Sequence, residues 1–133
     1  MDKPYGLTMR GIAKKEGKIL LLQRHPKSRT YPNKWELPGG KVDPGEFWDE
    51  GLIREFMEET NLEVKLGDFY EAIQDDYSHK RTVQVVMNVN IISGDVKISD
   101  EHINFMWVKP DEIKNIDISN ALKKLLDKTN WII

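Results

Sequence analysis

Glu55, Glu58 and Glu59 carry the spacing E-x-x-E-E. On a helix turning about 100° per residue, positions i, i+3 and i+4 share roughly one third of the circumference, so the three carboxylates would stand on one face. Like charges so placed repel, and a hard divalent cation with oxygen ligands is the simplest device that holds them together, magnesium being the natural candidate. A solvated acidic helix face has the same spacing. The triplet alone leaves both readings open, and the residues around it have to decide.

Those residues form the stretch Gly40 to Leu62, GKVDPGEFWDEGLIREFMEETNL. Pro38, Gly39 and Gly40 predict one turn, and Asp43, Pro44 and Gly45 a second. Glu46 to Thr60 contains no proline, and Glu46, Asp49 and Glu50 would oppose the helix dipole in a first turn, so a helix is expected over 46–60. Asn61 offers a left-handed stop. Leu52, Ile53, Phe56 and Met57 lie opposite the glutamates and are expected to face a core. Gly51 in mid-helix costs about 1 kcal/mol relative to alanine, which implies that something approaches its bare backbone closely.

The stretch resembles the Nudix box, G-x5-E-x7-R-E-U-x-E-E-x-G-U with U apolar, at Gly40, Glu46, Arg54, Glu55, Phe56, Glu58, Glu59 and Leu62. At ordinary composition, chance agreement at the six fixed residues is roughly one in a hundred thousand. Asn61 stands where the pattern has glycine, and asparagine is the next best residue for a left-handed cap. The resemblance implies an α+β chain, a Nudix-type α/β/α sandwich with a mixed β-sheet. It also implies hydrolysis of a nucleoside diphosphate linked to another moiety, with magnesium or manganese on the box helix. Carried over residue by residue, it makes Glu55, Glu58 and Glu59 metal ligands, with the Gly40 carbonyl a further contact. Glu46 and Arg54 become an ion pair that orients them. Glu55 and Glu58 are candidates for the base that takes a proton from water. Glu101, six residues before Trp107, matches an additional glutamate of MutT-type members, as ligand or base, although a solvated turn residue is an equal reading.

Within the family the segment QRHPKSRTYPNKWELPGGKVDPGE is most similar to the MutT-type nucleoside triphosphate pyrophosphohydrolases. Arg24 takes the place of their phosphate-binding arginine, and Asn120 corresponds, across a gap, to their base-contacting asparagine. The expected reaction is cleavage of a nucleoside triphosphate, modified ones included, to a nucleoside monophosphate and pyrophosphate. Two alternatives stand beside it. One is another Nudix hydrolase, acting on a dinucleoside polyphosphate or a nucleotide sugar, for which Tyr77 past the box is the hint. The other is a catalytically silent, nucleotide-sensing Nudix domain, against which stands the full set of box glutamates.

The elements that must position these residues can be read in order. Leu7 to Lys14 has the mixed pattern of a half-buried strand, and the apolar run Ile19 to Leu22 reads as a strand buried on both faces. Arg24 ends that strand, where a guanidinium fork held in place can bind phosphate oxygens in pairs. His25 to Lys34 is a loop rich in cations, with Lys27 and Arg29 balanced between phosphate contacts and ordinary surface residues. Trp35 to Leu37 is a short strand with Trp35 in the core. Glu63 to Asp76 forms one bent or two short strands. Val83, Val85, Met87, Val89 and Ile91 alternate on one face of the next, with Gln84, Asn88 and Asn90 on the other. Ile103, Phe105 and Trp107 mark a last strand, Pro110 opens a helical turn, and Ile118, Ala121, Leu122, Leu125 and Leu126 make a final amphipathic helix.

With 133 residues the chain is expected to be one domain, 1–133, large enough for a real core. It has no cysteine, which excludes disulfides and thiolate metal sites and fits a cytoplasmic location. Its 20 basic and 22 acidic residues are intermixed, so the expected partner is a small nucleotide and not a nucleic-acid polymer. No apolar run suggests a signal peptide or a membrane span. His25, His79 and His102 are far apart in sequence and read as ordinary polar residues.

Overall fold

Four consecutive apolar residues cannot all face one side of a strand, because successive side chains alternate. In the computed structural model, which describes residues 3–133, Ile19 and Leu21 enter one core and Leu20 and Leu22 another, all fully buried. The sheet between these cores has seven strands: β1 (Tyr5–Lys15), β2 (Lys18–Arg24), β3 (Trp35–Glu36), β4 (Gly39–Lys41), β5 (Glu63–Asp76), β6 (Arg81–Ser93) and β7 (His102–Val108). Helix α1 (Trp48–Thr60) covers one face. Helix α2 (Asn120–Lys128), preceded by a 3-10 turn at Pro110–Asn115, covers the other. No helix among the described residues is long and apolar enough to cross a membrane.

The sheet is mixed. β1 runs parallel to β6, pairing from Tyr5↔Arg81 to Ala13↔Val89, and antiparallel to β4 and to the start of β2. β2 carries β7 and β3, and β5 closes the far edge against β6. β5 is one strand whose register slips around Leu66, Phe69 and Glu71, which accounts for its bent pattern in the sequence. This is the α/β/α arrangement expected.

Five local expectations are corrected. β1 is central and not half-buried: Met9 and Ala13 point to the α1 core and Ile12 to the α2 core. Pro38, Gly39 and Gly40 do not make a free turn, since Gly39 and Gly40 pair with Arg10 and Met9 as β4. Gly39 has φ +145°, and a Cβ there would stand 2.0 Å from the Met9 carbonyl oxygen, so only glycine lets β4 lie this close to β1. Helix α1 begins at Trp48, with Phe47 as its cap, because Glu46 belongs to the turn before it: its N–H donates to Asp43 O at 3.0 Å. Ile53 and Met57 are exposed, since the buried arc of α1 runs from Glu59 through Leu52 and Phe56 to Thr60 and leaves them beyond its edge. Ile118 precedes α2, bridging to Trp35, while Ser119 caps the helix by accepting from Leu122 N. Asn61 does adopt the left-handed stop, φ 63° and ψ 15°, its N–H donating to Met57 O.

Candidate active site

The acidic face of α1 is built by the strand and turn that precede it. Gly39 N–H donates to Glu59 Oε1 at 2.9 Å, which draws this carboxylate inward until it is 5% exposed. The Glu55 carboxylate lies over Gly40, where a Cβ would stand 2.5 Å from Glu55 Cδ. Gly51 makes room in the same way for Glu46, whose Oε1 would be 3.0 Å from an added Cβ. The close approach implied by a mid-helix glycine is therefore that of a side chain from the preceding turn.

Glu46 in turn fixes Arg54, accepting from Nε at 2.7 Å and from Nη2 at 3.0 Å. The remaining nitrogen, Nη1, donates to Glu55 at 3.1 Å and to both oxygens of Glu58. With Asp43 Oδ2 3.4 Å from Nη2, one guanidinium thus bridges four carboxylates. Hydrogen bonds from Arg54 and from the Asp43 N–H hold the Glu46 carboxyl down at about 2. Burial pushes Glu55 up despite Arg54, and pushes Glu59 well up despite Arg10 and the Gly39 N–H. Two neighbouring carboxyls that resist ionisation, on a face neutralised by one arginine, are short of positive charge.

Glu101 is brought to this face from the loop before β7. It bears on Glu55 electrostatically, and Glu59, Glu101 and His102 each offer a ligand atom within 4.8 Å of the others. These donors fit a divalent cation: carboxylate oxygens from three box glutamates and Glu101, some already buried, around a charge deficit. His102 corrects the sequence reading. It is not an ordinary polar residue, being buried as the first residue of β7 with its Nε2 2.9 Å from Glu36 Oε2.

Glu36 is the other centre that sequence reasoning missed, together with Arg10. It is 4% exposed and pairs with Arg24 Nη1 at 3.0 Å, with Arg10 Nη2 at 3.6 Å and with His102. Burial alone would raise its carboxyl, yet Arg10, His102 and Arg24 hold it at about 2. Arg10 also donates to the Leu37 and Gly39 carbonyls and to Gln84 Oε1. The signal for both was present as a charged residue inside an otherwise apolar strand segment.

Arg24 is held as rigidly as expected at the end of β2, but by protein partners: Nε donates to Thr30 O at 2.7 Å, Nη2 to Thr30 Oγ1, and Nη1 to Glu36. It lines two hollows. In one, Arg24 meets the exposed Arg29 and Lys27 beside Glu101. The other is a narrow cavity under Tyr31 and Tyr77, reaching Glu36, Arg10 and Gln84. The two tyrosine rings meet edge to face at 6.3 Å, and Tyr31 OH donates to the buried Asp75, which also accepts from Asn120 Nδ2 at 3.3 Å. Asn120, the first residue of α2, does not line this cavity; it lines a separate open hollow with Tyr31, Lys34 and Trp131.

Residues 7–129 match the NUDIX domain family. The nucleoside triphosphatase NudI of Escherichia coli O81 (strain ED1a) is 30% identical over 126 residues, 86% of this chain and 89% of that protein. The crystal structure of the MutT protein from Methanosarcina mazei Go1 superposes with a TM-score of 0.89 at 32% identity, over 98% of this chain and 96% of that one. The solution structure of the E. coli ORF135 protein gives 0.80 at 28%, over 94% and 88%. The box glutamates, the sheet that carries them and these likenesses agree: the chain belongs to the Nudix family and is a pyrophosphohydrolase close to the MutT type.

Proposed function

We propose that the protein is a magnesium-dependent hydrolase, manganese substituting, that cleaves nucleoside triphosphates to nucleoside monophosphate and pyrophosphate. The observation that carries this reading is the position of Arg24, shared between the hollow beside Glu101 and the cavity under Tyr31 and Tyr77. A phosphate chain along Arg24 and Arg29 would bring its reacting phosphorus toward the carboxylates of α1, with the base turned toward the tyrosines and Asn120. The likeness to a relative named a nucleoside triphosphatase supports the same substrate class. We take residues 1–133 as one such domain, acting on small nucleotides in the cytoplasm.

Glu55, Glu58 and Glu59, with Glu101 and the Gly40 carbonyl, would hold the cation, which when bound neutralises phosphate charge and makes water a better nucleophile. Arg54, anchored by Glu46, keeps Glu55 and Glu58 in place before the cation arrives. Glu55 is the base in this reading, because its carboxylate stands beside the cation position and remains partly open to solvent. Water oxygen bonds to phosphorus, the water proton goes to Glu55, and the bond to the pyrophosphate oxygen breaks. Arg24 and Arg29 stabilise the charge gathering on the phosphates.

Dinucleoside polyphosphates are the second reading, favoured by Tyr77 and by the fold shared with a C. elegans Ap4A hydrolase, TM-score 0.72 at 25% identity. Triphosphates, sugar-linked diphosphates and dinucleoside polyphosphates compared by kcat/KM decide. Triphosphates are expected to lead; an advantage of about tenfold for either other class, roughly 1.4 kcal/mol, would end the triphosphate assignment. Absence of turnover on every class with magnesium or manganese would favour the sensor reading.

A further inference from the structure

The parallel ladder between β1 and β6 ends at Ala13↔Val89, and the next two residues of β1, Lys14 and Lys15, pair with β2 instead. Beyond Val89, β6 therefore has a strand partner only on its β5 side. The sheet splits here, and a hollow of about 730 Å3 opens between the end of β6 and β7. It shares no lining residue with the cavity under Tyr31 and Tyr77 or with the hollow beside Glu101, and no box glutamate lines it.

One wall of the hollow, the loop at 94–97, is tied to the end of α1. Lys97 N–H donates to Thr60 O at 2.9 Å, and Asn61 Nδ2 donates to Asp95 O at 3.1 Å. Gly94, at φ +105°, lies so close that an added Cβ would stand 2.6 Å from Asn61 O. The space is thus preformed, as small-molecule sites usually are.

Its lining has three chemistries. Phe105 and Trp107, two residues apart on β7, turn their rings to one side of the strand, and Phe105 is 37% exposed. The end of β6 at Asn90 and Ile91 brings backbone polar groups that have no strand partner on this side. Lys14 and Lys15 are exposed and, among the described residues, form no ion pair; Lys15 Nζ stands 6.0 Å from the centre of the Trp107 ring. Asp95 is the one acidic residue of the lining. An apolar occupant would leave the lysines and the strand edge unused, and an inorganic anion would leave the rings uncovered. A nucleoside phosphate answers all three. Its base can stack on the rings, the base edge can bond to the free strand edge, and the phosphate can pair with the two ammonium groups.

We propose that this hollow is a second nucleotide site, separate from the catalytic one, with the base on Phe105 and Trp107 and the phosphate on Lys14 and Lys15. The proposal goes beyond the catalytic reading and is independent of which nucleotide is cleaved.

The test titrates AMP into the whole isotope-labelled chain in EDTA and follows the assigned indole N–H resonance of Trp107. A saturable shift is expected, with affinity at least about tenfold above that of adenosine or of inorganic phosphate alone. The doubly substituted Lys14→Glu, Lys15→Glu chain should bind AMP about tenfold more weakly at this resonance, whereas Arg24→Ala should leave the shift as it is. With magnesium, kcat/KM for a triphosphate should be unchanged in the lysine variant. No saturable shift with millimolar AMP would overturn the proposal, as would equal affinity for phosphate or adenosine alone. Loss of the shift in Arg24→Ala, or a tenfold fall in kcat/KM in the lysine variant, would make the hollow part of the catalytic site and overturn it as well. Should the lysine variant not fold, the wild-type and Arg24→Ala titrations still decide. None of these failures touches the catalytic reading, which is tested by turnover with magnesium.

Discussion

At the scale of single residues, the site is a balance between charges that burial disfavours and partners that restore them. Glu59 has a folded-state proton affinity well above that of a free carboxyl, whose reference value is 4.5, because it is buried. The metal-free folded state therefore holds this proton more tightly than the unfolded chain. The stability it contributes is complete below the unfolded value and is lost as pH rises through the raised one. Glu59→Gln keeps an acceptor for the Gly39 N–H and removes the charge. It should melt higher than wild type near neutral pH in EDTA, the difference vanishing below about pH 4. Turnover should fall by about 100-fold or more. Melting curves at several pH values and kcat at saturating magnesium check both parts, and near-normal turnover would remove Glu59 from the ligand set. Glu36 has the opposite sign. Its carboxyl is held at about 2, so its contribution is present above 4.5 and is lost as pH falls through the lower value. Glu36→Gln leaves Arg10 and Arg24 without their buried partner and should cost about 3–5 kcal/mol in denaturant unfolding. A loss under about 1 kcal/mol would mean that the two arginines find other partners.

At the scale of elements, the ends of the two helices matter most to the site. Asn61 closes α1 in the left-handed region, where glycine would be easier, yet its Nδ2 also donates to Asp95 O at 3.1 Å. The gain in backbone freedom and the loss of this exposed bond oppose each other, and glycine also loosens the unfolded chain. Asn61→Gly should therefore lower stability by no more than about 1 kcal/mol, measured by chemical denaturation. A larger loss would make the Asp95 contact the true anchor of the helix end. At the other helix, Ser119 Oγ accepts from Leu122 N at 3.2 Å and sets where Asn120 begins α2. Ser119→Ala should cost about 1 kcal/mol in stability. Because Ser119 lines the tyrosine cavity and the change leaves α1 untouched, KM should rise with kcat little changed.

At the scale of the whole molecule, the α1 carboxylates and the tyrosine cavity lie on different sides of the sheet. The carboxylates belong to α1 and the core of Leu52 and Phe56, while the tyrosine cavity borders α2 and the core of Leu122 and Leu125. Arg10, Glu36 and Arg24 connect them through the strands. Tyr77→Ala should raise KM by the loss of a stacking surface, about 1–3 kcal/mol, with kcat nearly unchanged. Steady-state kinetics on one triphosphate would show the split. A fall in kcat with KM unchanged would place Tyr77 in the chemical step instead of the binding step.

The sequence alone was enough for whatever depends on spacing along one element. Glu55, Glu58 and Glu59 share a face because the helix repeat requires it, Asn61 stops the helix because few other residues enter that backbone region, and Ile19 to Leu22 must split between two cores because strand side chains alternate. Tertiary structure decided what depends on strands meeting. Arg10, Glu36 and His102 lie on three strands, and no local pattern relates a charge in β1 to one in β3 and an imidazole in β7. Pairing of Leu22 with Glu36 and of Arg24 with His102 brings these two together across β2, while Arg10 reaches Glu36 from β1, where it pairs with Gly39. The inward turn of Glu59 likewise needed Gly39 to fit against Met9, a contact between segments whose sequences carry no sign of each other. Periodicity is a property of one chain segment, whereas a buried charge network exists only once segments distant in sequence have excluded the water between them.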